Sequence, residues 1–223
     1  MVPLIDNRPL VSAPLVVYGL IAANVAIYLY EVSLDSAALQ RFLDLWAMIP
    51  NQLTLELAGS RLTAAPEWPT LLTFQFLHAG WFHLAGNLAC LWIFGHRIEA
   101  YWGHIVFLCF YVACGGLAGL SQWMVEPSSL LPTLGASGAI AGVMGAYVVR
   151  FPQARIALFF VGFWFVQQVL YGALSWREIG LGDAVSMTPV NIAYAAHAGG
   201  FIVGVVFSWI VSFLAESRRH YVK

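Results

Sequence analysis

Long stretches without charge constrain the fold of this chain more than any other feature. The run Leu10–Tyr30 carries no charged side chain and is long enough to cross a lipid bilayer as one helix. Only 9% of all residues are charged, whereas a soluble domain carries about 25%. Because backbone groups in lipid must be hydrogen-bonded within the chain, the sequence predicts an all-α, polytopic membrane protein.

The charged residues divide the sequence into six predicted transmembrane helices. These are Leu10–Tyr30, His83–Phe94, Ile105–Met124, Ser137–Val149, Ile156–Leu174 and Ile192–Leu214. Between the first two lies the first outer loop, residues 31–82, which contains a long polar insertion, Glu31–Glu67. Within this insertion Ala37–Met48 is amphipathic and predicts a helix in the membrane interface. The length suits one membrane domain, residues 1–223.

Lys and Arg are distributed unevenly between the two predicted sides of the membrane. With both termini in the cytoplasm, that side holds seven of the ten basic residues, and the outer side holds Arg41, Arg61 and Arg177. Cytoplasmic loops carry an excess of Lys and Arg, so both termini are predicted to be cytoplasmic. No signal peptide is expected, because the first apolar run has the length of a spanning helix.

A serine between glycines opens a short apolar segment. Ser137–Val149 has 13 residues, or about 20 Å of helix, whereas the hydrocarbon core is about 30 Å thick. This fourth helix is therefore predicted to begin inside the membrane, after a loop at residues 126–134. The first N–H groups of a helix have no intrahelical partner, and these donors suit a developing oxyanion beside Ser137.

A histidine on the sixth segment lies on a face of small residues. At helical spacing this face contains Ala193, His197, Gly200 and Gly204. The fourth segment has its own glycine face, formed by Gly138, Gly142 and Gly145. Two such helices can pack closely enough to place His197 beside Ser137, the minimum for an activated nucleophile. The same spacing also fits ordinary helix packing, in which a Ser–His hydrogen bond only joins two helices.

A second polar pair, His83 and Asn87, lies four residues apart on one face of the second segment. Both side chains can donate hydrogen bonds, so with the Ser137 N–H they could form an oxyanion hole. Interhelical hydrogen bonding is the alternative for this pair alone. No Asp or Glu lies in the last three segments, so a Ser–His dyad is predicted. No metal site is predicted, because His78 and His83 lack the spacing and partners of a zinc motif.

These residues fall in motifs that resemble the rhomboid family of intramembrane serine proteases. The similar segments are Phe76–Asn87, which ends in His-x-x-x-Asn, Leu91–Gly95 with Glu99 and Gly103, Gly135–Gly138, and Ala196–Gly204. Their order and spacing, and the six-helix layout, agree with the family from about residue 10 to residue 214.

The resemblance implies a six-helix, rhomboid-like bundle in which Ser137 is the nucleophile and His197 the general base. The oxyanion hole that it implies consists of His83, Asn87, the Ser137 N–H and Gly135. It implies no cofactor, a first outer loop that is partly embedded in the membrane, and cleavage of transmembrane segments of single-pass proteins. With the short N-terminus, it favours a bacterial inner membrane.

Two positions depart from the family pattern. Some members have a tyrosine four residues after the nucleophile that stacks on the catalytic histidine. This chain has Ala141 there, so another side chain must hold His197. Many members carry Trp-Arg in the first loop, whereas Pro69 follows Trp68 here, which concerns the stability of the loop and not the chemistry.

Two further features have structural interpretations. Glu99 is expected at the cytoplasmic edge, where it pairs with Arg97 or caps a loop. The aromatic residues 163–165 of the fifth segment are expected to face lipid or the core, and a lateral gate is the alternative.

The sequence thus predicts an intramembrane serine endopeptidase that cleaves transmembrane segments in the lipid bilayer and has no nucleic-acid partner. A non-proteolytic binder of transmembrane helices that uses the same cavity is the alternative. A transporter or channel is disfavoured, because the predicted spans contain no Asp, Glu, Lys or Arg for an ion pathway. A helical substrate must unwind before attack, so Gly or Pro near the cleaved bond is expected to accelerate cleavage.

Overall fold

The computed structural model describes residues 13–60, 66–154, 159–167 and 193–221, with side chains described up to residue 214. The regular elements in these ranges are all helices, and a single isolated bridge joins Met48 to Thr133. The predicted all-α class is therefore confirmed. Three described helices are long and apolar enough to cross a membrane, namely Leu15–Ser33, His104–Val125 and Tyr194–Leu214.

The helices follow the predicted segments closely. The first is α1 (Leu15–Ser33), followed in the outer loop by α2 (Ser36–Trp46), α3 (Pro50–Leu57) and α4 (Thr70–Thr73), which continues into a 3₁₀ turn at Phe74–Phe76. Next come α5 (Trp81–Cys90), a π-helical turn at Leu91–Gly95, α6 (His96–Trp102), α7 (His104–Val125), α8 (Ser137–Arg150), α9 (159–167) and α10 (Tyr194–Tyr221). The predicted fifth segment is described only at α9, and its other residues lie outside the described ranges.

Local chemistry explains where several helices begin and end. Helix α2 begins after Asp35, whose side chain accepts a hydrogen bond from the Ala38 N–H at 2.8 Å, as an N-cap residue does. This is the amphipathic helix predicted over Ala37–Met48. Helix α6 ends at Gly103, which has a φ of +82° that favours glycine, and α7 begins at the next residue.

Glu99 caps the beginning of α1 from the neighbouring helix α6. Its two carboxylate oxygens accept hydrogen bonds from the Val16 and Val17 N–H groups, each at 2.8 Å. The side chain of Glu99 is fully buried and also contacts His104. A carboxylate at this end of a helix satisfies otherwise unpaired donors and interacts favourably with the helix dipole. Glu99 was expected to pair with Arg97 or to cap a loop, whereas in the structure it caps a helix terminus.

The outer loop is joined to the segment that leads into α8. Met48 and Thr133 exchange two backbone hydrogen bonds, of 3.1 and 2.8 Å. The Asn51 N–H donates to the Ser129 carbonyl at 3.0 Å, and the Thr54 hydroxyl donates to the Pro127 carbonyl at 2.6 Å. These bonds tie the described parts of the loop to residues 127–133 although no arginine follows Trp68.

Helix α8 is the central helix of the described structure. All its residues from Gly138 to Tyr147 are buried, as expected of a helix that is apolar on every side. A Cβ atom at Gly200 would overlap the Gly138 carbonyl, and one at Gly204 would overlap the Gly142 carbonyl. The predicted glycine faces therefore meet, and the backbones of α8 and α10 are in direct contact.

Candidate active site

The close contact between α8 and α10 brings a serine and a histidine together. Ser137 is the first residue of α8, and His197 lies in the first turn of α10. The His197 Nε2 atom is 2.7 Å from the Ser137 Oγ atom, a distance typical of a strong hydrogen bond. A ring nitrogen in this position can accept the hydroxyl proton, so the pair has the geometry of a nucleophile beside its base.

The backbone just before Ser137 requires glycine. Gly135 has a φ of +120°, and a Cβ atom at this position would lie 2.7 Å from His83 Cε1 and 2.8 Å from His83 Nε2. The absence of a side chain therefore lets the His83 ring approach the turn that presents Ser137. The Gly135 N–H itself donates to the Phe74 carbonyl at 2.8 Å, a contact that the sequence pattern did not reveal.

His83 and Asn87 both lie on α5, and the His83 ring lies against Gly135. The Ala79 N atom lies 3.5 Å from His83 Nδ1, a contact that favours Nδ1 as acceptor and a proton on Nε2, the ring nitrogen that lies next to Gly135. Asn87 is buried, and its Nδ2 atom has no hydrogen-bond partner among the residues that the structure describes. Buried polar groups are normally paired, so an unpaired amide here is available to a ligand.

The end of α1 supports the turn from which α5 begins. Glu31 is buried and accepts a hydrogen bond from the His78 N–H at 3.2 Å. Tyr28 packs edge-on against Trp81, with ring centroids 4.8 Å apart. His78 is itself buried, with Nδ1 3.3 Å from the Phe76 carbonyl.

Two side chains from other helices contact the turn that carries His197. Gln122, near the end of α7, accepts a hydrogen bond from the Ala196 N–H at 3.3 Å. Because the first N–H groups of α10 have no intrahelical partner, this glutamine caps the helix from outside. Trp164 of α9 packs against the imidazole, with ring centroids 5.6 Å apart. Gln122 is not among the predicted site residues, although a polar residue near the end of an apolar segment is a visible signal in the sequence.

The arrangement is suited to acyl transfer. A hydroxyl lies beside an imidazole, and the first amides of α8 and the His83 ring lie at the same turn. Such donors stabilise the negative charge that forms on the carbonyl oxygen when a nucleophile attacks.

Comparison with known proteins identifies the same region. Residues 65–213 match the family model described as Rhomboid domain, and this range includes His83, Asn87, Ser137 and His197. The chain is 34% identical over 158 residues to Rhomboid protease GluP of Bacillus subtilis (strain 168), covering 69% of this chain and 29% of that protein.

Two organellar proteins are also similar. Rhomboid-like protein 11, chloroplastic, of Arabidopsis thaliana is 32% identical over 155 residues, covering 66% of this chain and 54% of that protein. Rhomboid protein 1, mitochondrial, of Saccharomyces cerevisiae is 28% identical over 214 residues, covering 91% and 55%. The chain thus spans about half the length of these two relatives and less than a third of the bacterial one.

Proposed function

The chain belongs to the rhomboid family, whose members are generally intramembrane proteases, and from this premise we propose that it is a serine endopeptidase acting through a Ser137–His197 dyad. The observation that carries the proposal is the 2.7 Å distance between His197 Nε2 and Ser137 Oγ. Placing a serine or a histidine side chain inside a membrane costs free energy, so polar residues in that position commonly have a function.

The reaction follows from the positions of these groups. Ser137 Oγ attacks the carbonyl carbon of a substrate peptide while His197 Nε2 takes the hydroxyl proton. His197 then gives this proton to the leaving amine, and the acyl group remains on Ser137 as an ester. A water molecule, deprotonated by His197, hydrolyses the ester and Ser137 regains its proton.

The oxyanion formed in each step is assigned to three donors. These are the Ser137 N–H, His83 Nε2–H and Asn87 Nδ2–H. Support comes from the Ala79 N–H contact at His83 Nδ1, which favours a proton on Nε2, and from the unpaired Asn87 amide. Gly135 contributes space for the His83 ring, because its own N–H is bonded to Phe74.

The proposal includes a position in the membrane. Helix α8 has 14 residues, or about 21 Å, against a hydrocarbon core of about 30 Å. We infer that residues 1–223 form one six-span domain in which α8 begins below the outer surface and residues 31–82 are partly embedded. We also infer that both termini are cytoplasmic and that the protein lies in a bacterial inner membrane. Its relatives include organellar proteins as well.

The substrates proposed are transmembrane segments of single-pass proteins. Helix α9 exposes three large aromatic side chains, Phe159, Phe160 and Phe163, each more than 60% accessible in the protein alone. Such a surface suits contact with lipid and with an apolar substrate helix. The substrate must then unwind locally, because the carbonyls of an intact helix are already hydrogen-bonded.

The test is labelling with a fluorescent fluorophosphonate of purified protein in detergent. Wild type, Ser137→Ala and His197→Ala are compared, each shown to be folded by circular dichroism and thermal unfolding. Labelling of wild type alone is expected, because only a serine activated by its histidine reacts rapidly. A folded wild-type protein that takes no label would overturn the proposal and favour a non-proteolytic binder of transmembrane helices.

A further inference from the structure

The turn that presents Ser137 is attached to the outer loop through one backbone carbonyl. Phe74 opens the 3₁₀ turn that follows α4, and its carbonyl accepts the Gly135 N–H at 2.8 Å. The same oxygen accepts the Leu77 N–H at 3.3 Å, so it has two donors for its two lone pairs. The position of the Phe74 backbone therefore bears directly on where Gly135 lies, and with it on the first N–H groups of α8.

The Phe74 side chain packs against helix α7 at a glycine. The ring is 2% exposed, and a Cβ atom at Gly119 would lie 2.9 Å from its Cε1 atom and 3.1 Å from its Cζ atom. The next side chain, Gln75, fits against Gly115, where a Cβ atom would overlap the carboxamide. Gln75 Nε2 donates to the Val112 carbonyl of α7 at 3.4 Å. Two adjacent side chains of the 3₁₀ turn thus pack at two glycines that lie one turn apart on the same face of α7.

We propose that Phe74 is a positioning residue for the oxyanion hole: its ring, packed at Gly119 of α7, fixes the carbonyl that holds the Gly135 N–H. The inference rests on the proposed function, because the turn at Gly135 leads into the Ser137 N–H and borders the His83 ring. A buried aromatic ring that is closely packed cannot swing away from a new neighbour, so its displacement is passed to its own backbone. Helix α7 thereby sets the geometry of an oxyanion hole although none of the three assigned donors belongs to it.

The experiment adds a methyl group at Gly119 and compares it with a methyl group at Gly116. Both glycines lie within α7, so Gly→Ala changes the helix propensity equally at both positions. At Gly119 the new Cβ atom lies 2.9 Å from the Phe74 ring, about 0.5 Å closer than an ordinary contact of 3.4 Å. At Gly116 the nearest atom is the Leu71 carbonyl oxygen at 3.8 Å, so the methyl group fits.

Two reactions are measured for each variant, with rates corrected for the folded fraction. The first is labelling by a soluble fluorophosphonate, which needs the dyad and the oxyanion hole but no transmembrane substrate. The second is cleavage of a transmembrane peptide reconstituted with the protein, from which kcat and KM are separated. Thermal unfolding of every variant shows which effects come from loss of folded protein.

Gly119→Ala is expected to slow labelling about tenfold and to lower kcat with little change in KM, because a misplacement of 1 Å can cost about a hundredfold. Gly116→Ala is expected to label within about twofold of wild type. Phe74→Leu loosens the contact with α7 and is expected to slow labelling severalfold. Combining Phe74→Leu with Gly119→Ala removes the ring atoms that the methyl group meets, so the double variant is expected to label faster than Gly119→Ala alone.

Four outcomes would overturn the inference. Gly119→Ala or Phe74→Leu at the wild-type labelling rate would show that the ring does not position the turn. Equal slowing in Gly116→Ala would show a general effect on α7, and a double variant no faster than Gly119→Ala would exclude a path through the ring. If wild type itself takes no label, the proposed function fails and this inference with it. A labelled wild type beside an unaffected Gly119→Ala refutes this inference alone, which distinguishes the two failures.

Discussion

Replacing Gly135 by alanine is expected to damage the oxyanion hole while leaving the Ser–His pair in place. The new Cβ atom would lie 2.8 Å from His83 Nε2, whereas ordinary contacts begin at 3.4 Å, so the ring must retreat by about 0.6 Å. A hydrogen bond of about 2.9 Å would lengthen to about 3.5 Å, close to the limit for such a bond. Losing one oxyanion donor costs about 10²- to 10³-fold in rate, so we expect a labelling rate about a hundredfold lower.

The same substitution also strains the backbone, and a control separates the two effects. Gly135 has a φ of +120°, where a residue with a side chain costs about 1–3 kcal/mol of stability. Gly59 also has a positive φ, of +83°, but a Cβ atom there meets nothing within 4 Å. Gly59→Ala is therefore expected to lower the unfolding temperature without changing the labelling rate of the folded protein.

A double-mutant cycle decides whether Gly135→Ala acts through His83. If it does, His83→Ala should cost much less in the Gly135→Ala protein than in wild type, because the same donor is already lost. The assay is the fluorophosphonate labelling rate of the four proteins, corrected for the folded fraction. Equal costs in both backgrounds, or a Gly135→Ala protein that labels like wild type, would refute the steric reasoning.

Three other perturbations test separate parts of the structure. Asn87→Ala is expected to slow labelling about 10²- to 10³-fold, because an oxyanion donor is lost. Little loss of stability is expected, because the Asn87 Nδ2 atom has no hydrogen-bond partner to lose among the described residues. An unchanged labelling rate would contradict the assignment of Asn87 as a donor. Glu99→Ala is expected to destabilise the protein by about 1–3 kcal/mol for each N–H left unpaired at Val16 and Val17. Glu99→Gln keeps one acceptor and should therefore lose less stability. Equal unfolding temperatures for wild type and the two variants would contradict the cap. Transmembrane peptides with Gly or Pro near the cleaved bond should be cut faster than matched peptides with Ala or Leu, and equal rates would show that unwinding does not limit cleavage.

Much of the helical layout could be predicted because it depends on local patterns. Helices α1, α7 and α10 follow uncharged runs, and α2 follows an amphipathic repeat with Asp35 as its cap. The meeting of α8 with α10 could be anticipated for a related reason: glycines at helical spacing let two backbones approach, and few other residues do.

The contacts that complete the site depend on residues far apart in the chain. Gln122 and Ala196 are 74 residues apart in the sequence. The Gly135 N–H likewise donates to the carbonyl of Phe74, which is far from it in the sequence. No spacing rule links such pairs, because their meeting is decided by how whole helices pack. Trp164 is the clearest case, since its sequence context fits a lipid-facing, a core or a gating residue, and only the packing places it on His197.

The packing also bears on how the proposed dyad is held together. The α10 backbone, which carries the imidazole of His197, is fixed against α8 at Gly200 and Gly204, where no side chain intervenes. Backbones in direct contact adjust little, so α8 and α10 form a rigid frame for the pair. Helix α9, by contrast, contacts α10 through the aromatic side chains of Trp164 and Phe165. Side-chain contacts break and re-form more easily than a glycine interface, so we expect α9 to move relative to α10 at a lower cost than α8 does.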